Sequence, residues 1–179
     1  ATFPDFPAEI RAPRGTLAGV SGFQVQFSST DIFTPGDTLN ALVAMNPAAL
    51  VTNIGDLEKG GILIVNSESF KPRDLKLARL DSNPLEDGSL DEYRVVKVRL
   101  DTLNRAAVKD IDGLSSKLQD RCKNFFALGL VSWLFDRPVD PTVDRLRHYF
   151  GTVKKMPEIA ALNVKALKAG YYFGETAEL

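Results

Sequence analysis

Two arginines in a proline-rich segment are the strongest candidates in this sequence for binding a negatively charged group. Arg11 and Arg14 flank Pro13 in a stretch that shows neither a helical nor a strand period. A guanidinium presents its N–H donors in a planar fork, so two of them in a stiff loop can hold a phosphate or carboxylate bidentately. Pairing with acidic residues across a subunit interface is the simpler explanation of the same residues. The sequence alone leaves both roles open.

A second candidate is the polar pair Lys123–Asn124, which opens the most apolar part of a predicted helix. Ammonium and amide groups both donate hydrogen bonds, and they could contact an anion if the pair faces a cleft. The same two side chains could instead satisfy backbone groups nearby. The pair therefore predicts either a ligand contact or a structural hydrogen bond.

The other residues and motifs that could form a catalytic, metal or phosphate site are ruled out by the sequence around them. His148, the only histidine, lies on an amphipathic helix and is expected to be a solvated surface residue. Cys122 lies in an apolar helix and is expected to be a packing residue, so a transition-metal site built from the two is implausible. Residues 19–22 are followed by a strand where a nucleophile elbow needs a helix, and residues 55–60 lack the Lys-Ser/Thr pair of a phosphate-binding loop. No catalytic residue is predicted.

Composition narrows the class of protein further. The chain has 179 residues, 44% of them hydrophobic, and a formal net charge of −1 from 22 basic and 23 acidic side chains. That balance argues against a nucleic-acid partner, and no apolar run approaches the roughly 18 residues that span a bilayer. The single Cys122 permits no internal disulfide and no cysteine-held iron–sulfur cluster. A cytoplasmic location is expected.

The clearest structural signal is a strand that feeds directly into a helix. An apolar run over Leu39–Met45 ends at Asn46, a good N-cap, and Pro47 suits the first helical position. Ile62–Val65 is a second continuous apolar run, as expected for a buried parallel strand. Strand, helix and strand within this span predict a βαβ unit with a right-handed crossover. The carboxyl end of such a strand is where open α/β sheets bind ligands.

The helix from Pro47 and the segment before the first buried strand have their own patterns. Leu50, Ile54 and Leu57 fall on one helical face, and Gly60–Gly61 is predicted to end that helix. Residues 23–27 alternate apolar and polar side chains, which predicts a half-buried strand at the sheet edge.

The remainder of the chain predicts a short strand followed by helices. Alternation over residues 96–100 indicates an exposed strand, with a weak helix over residues 68–80, capped near Pro72, and a short helix at 102–111. A long helix capped by Ser115 or Ser116 is predicted to run to about Phe135, another to start at Asp140 and a final one at Pro157. The sequence therefore predicts one α/β domain with a mostly parallel sheet, a mixed edge strand and a helical C-terminal third.

Four segments, taken in order, are similar to a known family. These are residues 6–13, 42–50, 123–129 and 163–171. They resemble the gamma domain of 2-oxoacid:ferredoxin oxidoreductases, most closely the fused alpha subunit of bacterial 2-oxoglutarate:ferredoxin oxidoreductase, where this domain comes first. The resemblance spans nearly the whole chain, and the order and spacing of the segments make it specific.

The resemblance implies a fold and an activity. Residues 1–179 would form a single gamma-type domain of three-layer α/β/α architecture, lacking the first strand and glycine-rich turn that normally open it. The complex would oxidatively decarboxylate a 2-oxoacid, 2-oxoglutarate by the closest likeness, to its acyl-CoA and pass electrons to ferredoxin. Thiamine diphosphate, Mg²⁺ and iron–sulfur clusters belong to the partner alpha and beta domains, not to this chain.

The resemblance also implies a role for the candidate residues. In the family the gamma domain helps to hold coenzyme A, and Arg11 and Asn124 match positions near that site, with Lys123 and Arg14 as weaker additions. Two alternatives remain: a purely structural subunit-interface module of the same complex, and a free-standing nucleotide-binding α/β protein.

Overall fold

The computed structural model describes residues 17, 20, 22–28, 31–33, 36, 38–111 and 115–177. The chain divides into two compact units, Ala1–Val98 and Arg99–Leu179. None of the helices in the described ranges is long and apolar enough to cross a membrane.

Within the described part of the first unit, three parallel strands form one sheet. Their order is β1–β2–β3, and short helices connect them in chain order. The predicted α/β class and parallel sheet are confirmed. The elements are β1 (Leu39–Ala44), α1 (Pro47–Asn53), β2 (Leu57–Asn66), α2 (Pro72–Leu77) and β3 (Arg94–Val98).

The predicted junction between the first buried strand and its helix is confirmed. Asn46 has extended backbone angles, and its side-chain oxygen accepts a hydrogen bond from the Ala49 N–H at 2.8 Å. Pro47 occupies the first turn, where a missing N–H costs nothing. Local side-chain chemistry therefore fixes where α1 begins.

The predicted end of this helix at Gly60–Gly61 is wrong. Helix α1 stops at Asn53, a 3₁₀ turn covers Ile54–Asp56, and Leu57 already belongs to β2. Leu57 is nevertheless buried in the same apolar cluster as Leu50. Leu50 and Leu57 therefore pack in one core as predicted, but Leu57 does so from β2 and not from the helix.

Gly60 lies inside β2, where it forms part of a β-bulge. The β1–β2 register jumps from Leu39 opposite Leu57 to Ala41 opposite Ile62, so β2 contains extra residues at this point. Gly60 adopts a φ of +76°, which glycine reaches without steric cost, and its N–H donates to the Glu92 carbonyl oxygen at 2.9 Å. The glycine allows a bulge where the sequence suggested a helix end.

The predicted edge strand at residues 23–27 is also wrong. Residues 22–28 have no regular secondary structure, and Phe23, Val25 and Phe27 are 62%, 49% and 40% exposed. Alternation predicts a strand only where a neighbouring strand supplies hydrogen bonds and a core covers one face. Neither holds here among the described residues.

The second unit is helical, as predicted for the C-terminal third. The predicted final helix is confirmed. Its described helices are α3 (Leu100–Val108), α4 (Ser116–Arg121), α5 (Lys123–Leu134), α6 (Asp140–Leu146) and α7 (Pro157–Ala177), with a π-helical segment, Arg147–Val153, after α6.

The long helix predicted from Ser115 to Phe135 is two helices in the structure. Ser115 caps α4 as expected, accepting from the Leu118 N–H at 3.4 Å, but α4 ends at Arg121 and α5 starts at Lys123. The break falls at Cys122, where no glycine or proline marks it.

Helices α5 and α7 pack with their backbones in close contact. A Cβ atom placed on Gly129 would lie 1.9 Å from the Leu167 carbonyl oxygen, and one on Gly170 would lie 1.9 Å from that of Phe126. Only glycine leaves room for this approach. The contact makes α5 and α7 the centre of the second unit.

Candidate functional site

Polar side chains at the carboxyl ends of the strands hold the chain itself in place. Asn66, at the end of β2, is 1% exposed and donates its amide N–H to Ser69 Oγ at 2.8 Å. The Ser67 hydroxyl donates to the Val98 carbonyl oxygen at 3.2 Å, and Asn46 caps α1. These groups tie the turns at the sheet edge together, so the edge serves local structure in the described residues.

The polar pair that sequence analysis selected lies at the start of α5. Lys123 Nζ is 2.8 Å from Asp101 Oδ1, and the two side chains are 29% and 23% exposed. Asn124, the next residue, is exposed. The structure thus gives the two members of the pair different surroundings, an ion pair for Lys123 and solvent for Asn124.

Electrostatics explains why Lys123 has an acidic partner. The first turn of a helix carries partial positive charge, so a cation there is unfavourable. Asp101 offsets this, and it lies in the first turn of α3, where a carboxylate is itself favourable. The ion pair therefore joins the N-terminal turns of α3 and α5.

Two buried polar side chains, Asn104 and Cys122, lie next to this junction. Asn104, 1% exposed, donates to the Gln119 carbonyl oxygen at 2.8 Å. Cys122 Sγ lies 2.9 Å from the same oxygen and 3.4 Å from Asn104 Oδ1. In a continuous helix the Gln119 carbonyl would accept from the backbone N–H of Lys123. Asn104 competes for that acceptor, and this competition accounts for the break between α4 and α5.

Cys122 is a packing residue, as the sequence predicted. It is 1% exposed and packs with Val108, Leu162 and Ala166. Burial raises the pKa of the Cys122 thiol above its ordinary value, and the contact with Asn104 offsets only part of the rise. The thiol therefore stays protonated, which makes it a poor nucleophile.

The other predicted residues fall in two groups. His148 is exposed on the π-helical segment, as expected for a surface residue. Arg11 and Arg14 lie outside the described residues, so their assignment to a coenzyme A site remains a prediction. Across the described ranges, no group of three or more His, Cys, Asp or Glu side chains could hold a metal ion.

Sequence analysis missed Asp101 and Asn104. Asp101 lies in the first turn of α3, a position where an acidic residue is common for reasons of the helix dipole alone. Asn104 lies mid-helix, where asparagine is unfavourable. That misplaced asparagine is the signal that could have indicated a buried hydrogen-bonding role.

The fold and this site define an α/β domain with a charged helix junction, and comparison with known proteins identifies its family. Residues 1–173 match the family described as pyruvate ferredoxin/flavodoxin oxidoreductase, and the chain belongs to that family. Over 178 residues it is 52% identical to the 2-oxoglutarate oxidoreductase subunit KorA of Mycobacterium tuberculosis. That alignment covers 99% of this chain but 27% of the relative, so the chain spans about a quarter of the relative's length.

A solved structure supports the fold. The chain resembles 2-oxoglutarate:ferredoxin oxidoreductase from Magnetococcus marinus, solved with 2-oxoglutarate, coenzyme A and succinyl-CoA bound, with a TM-score of 0.57. The match covers 83% of this chain and 22% of that one, at 22% sequence identity. Similarity at this level shows a shared fold.

Proposed function

We propose that residues 1–179 form a single gamma-type domain that contacts coenzyme A within a cytoplasmic 2-oxoacid:ferredoxin oxidoreductase. The 2-oxoacid would be 2-oxoglutarate, decarboxylated oxidatively to its acyl-CoA with ferredoxin as the electron acceptor. The 52% identity to KorA over 178 residues is the observation that carries this proposal. The coenzyme A bound in the solved Magnetococcus marinus enzyme supports a role in contacting that co-substrate.

The residues at the start of α5 have the chemistry that a coenzyme A phosphate requires. Asn124 is exposed and can donate amide N–H groups, and the Lys123 ammonium is one residue away. Both lie on the first turn of a helix of 12 residues, whose backbone N–H groups favour an anion. When bound, coenzyme A would supply the thiol that accepts the acyl group, and these residues would hold and orient its phosphates.

We assign the chemistry itself to the partner alpha and beta domains. They would hold thiamine diphosphate, Mg²⁺ and the iron–sulfur clusters. The protonated, buried Cys122 does not fit a thiolate ligand, which agrees with this division. Arg11 and Arg14 would complete the phosphate contacts from their proline-rich segment, as the resemblance implies.

The test is coenzyme A dependence in the assembled oxidoreductase. A hydrogen bond to a charged group contributes about 1.5–3 kcal/mol, so Asn124→Ala should raise the apparent KM for coenzyme A roughly tenfold or more. Lys123→Ala should act in the same direction. The control is Lys117→Ala, which removes an exposed ammonium from α4. An unchanged KM with intact assembly would reject the proposal.

A variant of Asp101 can distinguish a ligand-binding role of Lys123 from a structural one. The Lys123 ammonium is held by Asp101 in the structure, so a phosphate would compete with that carboxylate. If Lys123 contacts coenzyme A, Asp101→Asn should lower the apparent KM, because it releases the ammonium. If Lys123 is purely structural, Asp101→Asn should leave the KM unchanged and lower only thermal stability.

The ion pair itself favours a second candidate, a purely structural subunit-interface module. Lys123 already has a charged partner, and the arginines could likewise pair with carboxylates of another subunit. Under this alternative, Arg11→Ala and Arg14→Ala would weaken subunit association in sedimentation experiments. Coenzyme A dependence would then stay as in the native complex.

A further inference from the structure

One segment of the second unit departs from the balanced charge of the chain. Residues 145–156 contain Arg145, Arg147, Lys154 and Lys155 and no acidic residue, whereas the whole chain carries a net charge of −1. All four of these side chains are exposed. Arg147 has an acidic neighbour in Asp144, whose Oδ1 lies 4.0 Å from Arg147 Nη1, with both side chains more than 60% exposed. Such a contact is weak in water. We call residues 145–156 the basic segment.

The backbone of the basic segment is unusual, and a hydrogen bond and core packing hold it in place. Arg147–Val153 is π-helical, and the Lys154 N–H donates to the Tyr149 carbonyl oxygen at 2.9 Å. Lys155 follows with a φ of +54°, an uncommon value for a residue with a side chain. Phe150 anchors the segment by packing on the core of the second unit. π-Helical turns occur often at functional sites.

Apolar side chains are exposed among these cations. Tyr149 is 40% exposed, Val153 56% and Met156 42%. The Lys154 ammonium lies 5.5 Å from the centre of the Tyr149 ring, a cation–π contact that holds both side chains at the surface. Single exposed apolar residues are ordinary, but three within eight residues, interleaved with cations, form a mixed surface typical of the rim and centre of a protein interface.

We propose that the basic segment docks an acidic stretch of another protein that presents an apolar side chain among carboxylates. Charge complementarity selects the acidic partner, because among the described residues the four cations have only one acidic contact, the weak and exposed Arg147–Asp144 pair. The exposed Val153 and Met156 side chains gain by burial only against apolar atoms, which a nucleic-acid backbone does not offer. The three exposed apolar side chains, Tyr149, Val153 and Met156, give too little apolar area to hold a bilayer surface.

The test is binding of a defined probe to the full chain. The probe is a fluorescein-labelled synthetic peptide of glutamates with one central phenylalanine, followed by anisotropy at low ionic strength. Lys154→Glu combined with Lys155→Glu should weaken binding at least tenfold, a change of about 1.4 kcal/mol. Tyr149→Ala should weaken binding to the same peptide, but not to one that lacks the phenylalanine.

Controls separate the basic segment from general charge. Lys109→Glu combined with Lys117→Glu makes the same charge change elsewhere in the second unit and should leave binding near its native value. Circular dichroism of each variant verifies that the helices are intact. Equal binding by native chain and Lys154/Lys155 variant would overturn the proposal. So would a matching loss in the control variant, or tighter binding of oligothymidylate or phosphatidylserine vesicles than of the peptide.

Discussion

The close approach of α5 and α7 yields a quantitative prediction about stability. Gly170→Ala places a methyl carbon 1.9 Å from the Phe126 carbonyl oxygen, and 2.7 Å from the carbon of the same group. These are backbone atoms, so no side chain can rotate away. A comfortable carbon–oxygen contact is about 3.3 Å. The helices must therefore separate by roughly 1.4 Å to relieve the overlap.

That separation loosens the best-packed part of the second unit. A radial gap of about 0.5–1 Å already forfeits a quarter to a half of each dispersion contact. Overpacking of this kind typically costs about 1–3 kcal/mol and occasionally more, and α5–α7 lies at the severe end because the clash is with backbone. Alanine gains back about 1 kcal/mol over glycine in helix propensity. We expect a net loss of at least about 2 kcal/mol.

The assay is urea unfolding followed by tryptophan fluorescence. Trp133 is the only tryptophan in the chain, and it lies on α5 against Gly174 of α7, so it reports on this contact directly. Gly151→Ala is the matched control, since its new Cβ would lie 3.9 Å from the Ala160 Cβ, an ordinary contact. That control should leave stability unchanged or raise it by up to about 1 kcal/mol, the gain of alanine over glycine in a helix.

Two results would refute this reasoning. The first is a Gly170→Ala variant as stable as the Gly151→Ala control. The second concerns the double variant: Gly129→Ala and Gly170→Ala push the same two helices apart, so their costs should be less than additive. Full additivity would mean that the clashes are relieved separately, and that the helices do not move as rigid rods.

Three polar groups give further predictions. Asn46→Ala removes the cap of α1 and should cost about 1 kcal/mol, seen as a lower urea midpoint by circular dichroism, whereas Asn46→Asp should cost much less. Asn104→Ala leaves the partly buried Gln119 carbonyl without its amide donor and should cost about 0.5–1.5 kcal/mol by Trp133 fluorescence; a neutral effect would contradict the account of the α4–α5 break. Cys122 should resist alkylation by iodoacetamide until urea unfolds the chain. Rapid labelling of the folded protein would contradict this. Burial raises the pKa of the Cys122 thiol in the folded chain, so the stability that the protonated thiol contributes is complete below 9.0, its pKa in the unfolded chain. That contribution is lost as pH rises from 9.0 towards the folded pKa.

Local chemistry was predictable from the sequence, and the residues involved show why. Asn46 and Pro47 fix the start of α1 through contacts within one turn, so the pattern could be interpreted without knowledge of the fold. The buried parallel strands followed from continuous apolar runs for the same reason. Pro72 and Pro157 likewise begin α2 and α7.

Features set by distant parts of the chain were not predictable in this way. The end of α1 depends on where β2 pairs with β1, and Gly60 serves a bulge that exists only because of that pairing. The break at Cys122 depends on Asn104, which is 18 residues away in the sequence. The apolar alternation at residues 23–27 was misleading, because none of the described strands includes this segment.

The candidate site combines both kinds of information. The sequence selected Lys123 and Asn124 by residue type, but their presentation comes from long-range contacts: Asp101 fixes the ammonium, and Asn104 fixes the start of the helix. The glycine contact with α7 then holds α5 itself in place. A binding group gains most when rigid elements position it, because less freedom is lost on binding. It follows that Gly129→Ala, although remote from the first turn of α5, should disturb any ligand contact made by Asn124 as well as stability.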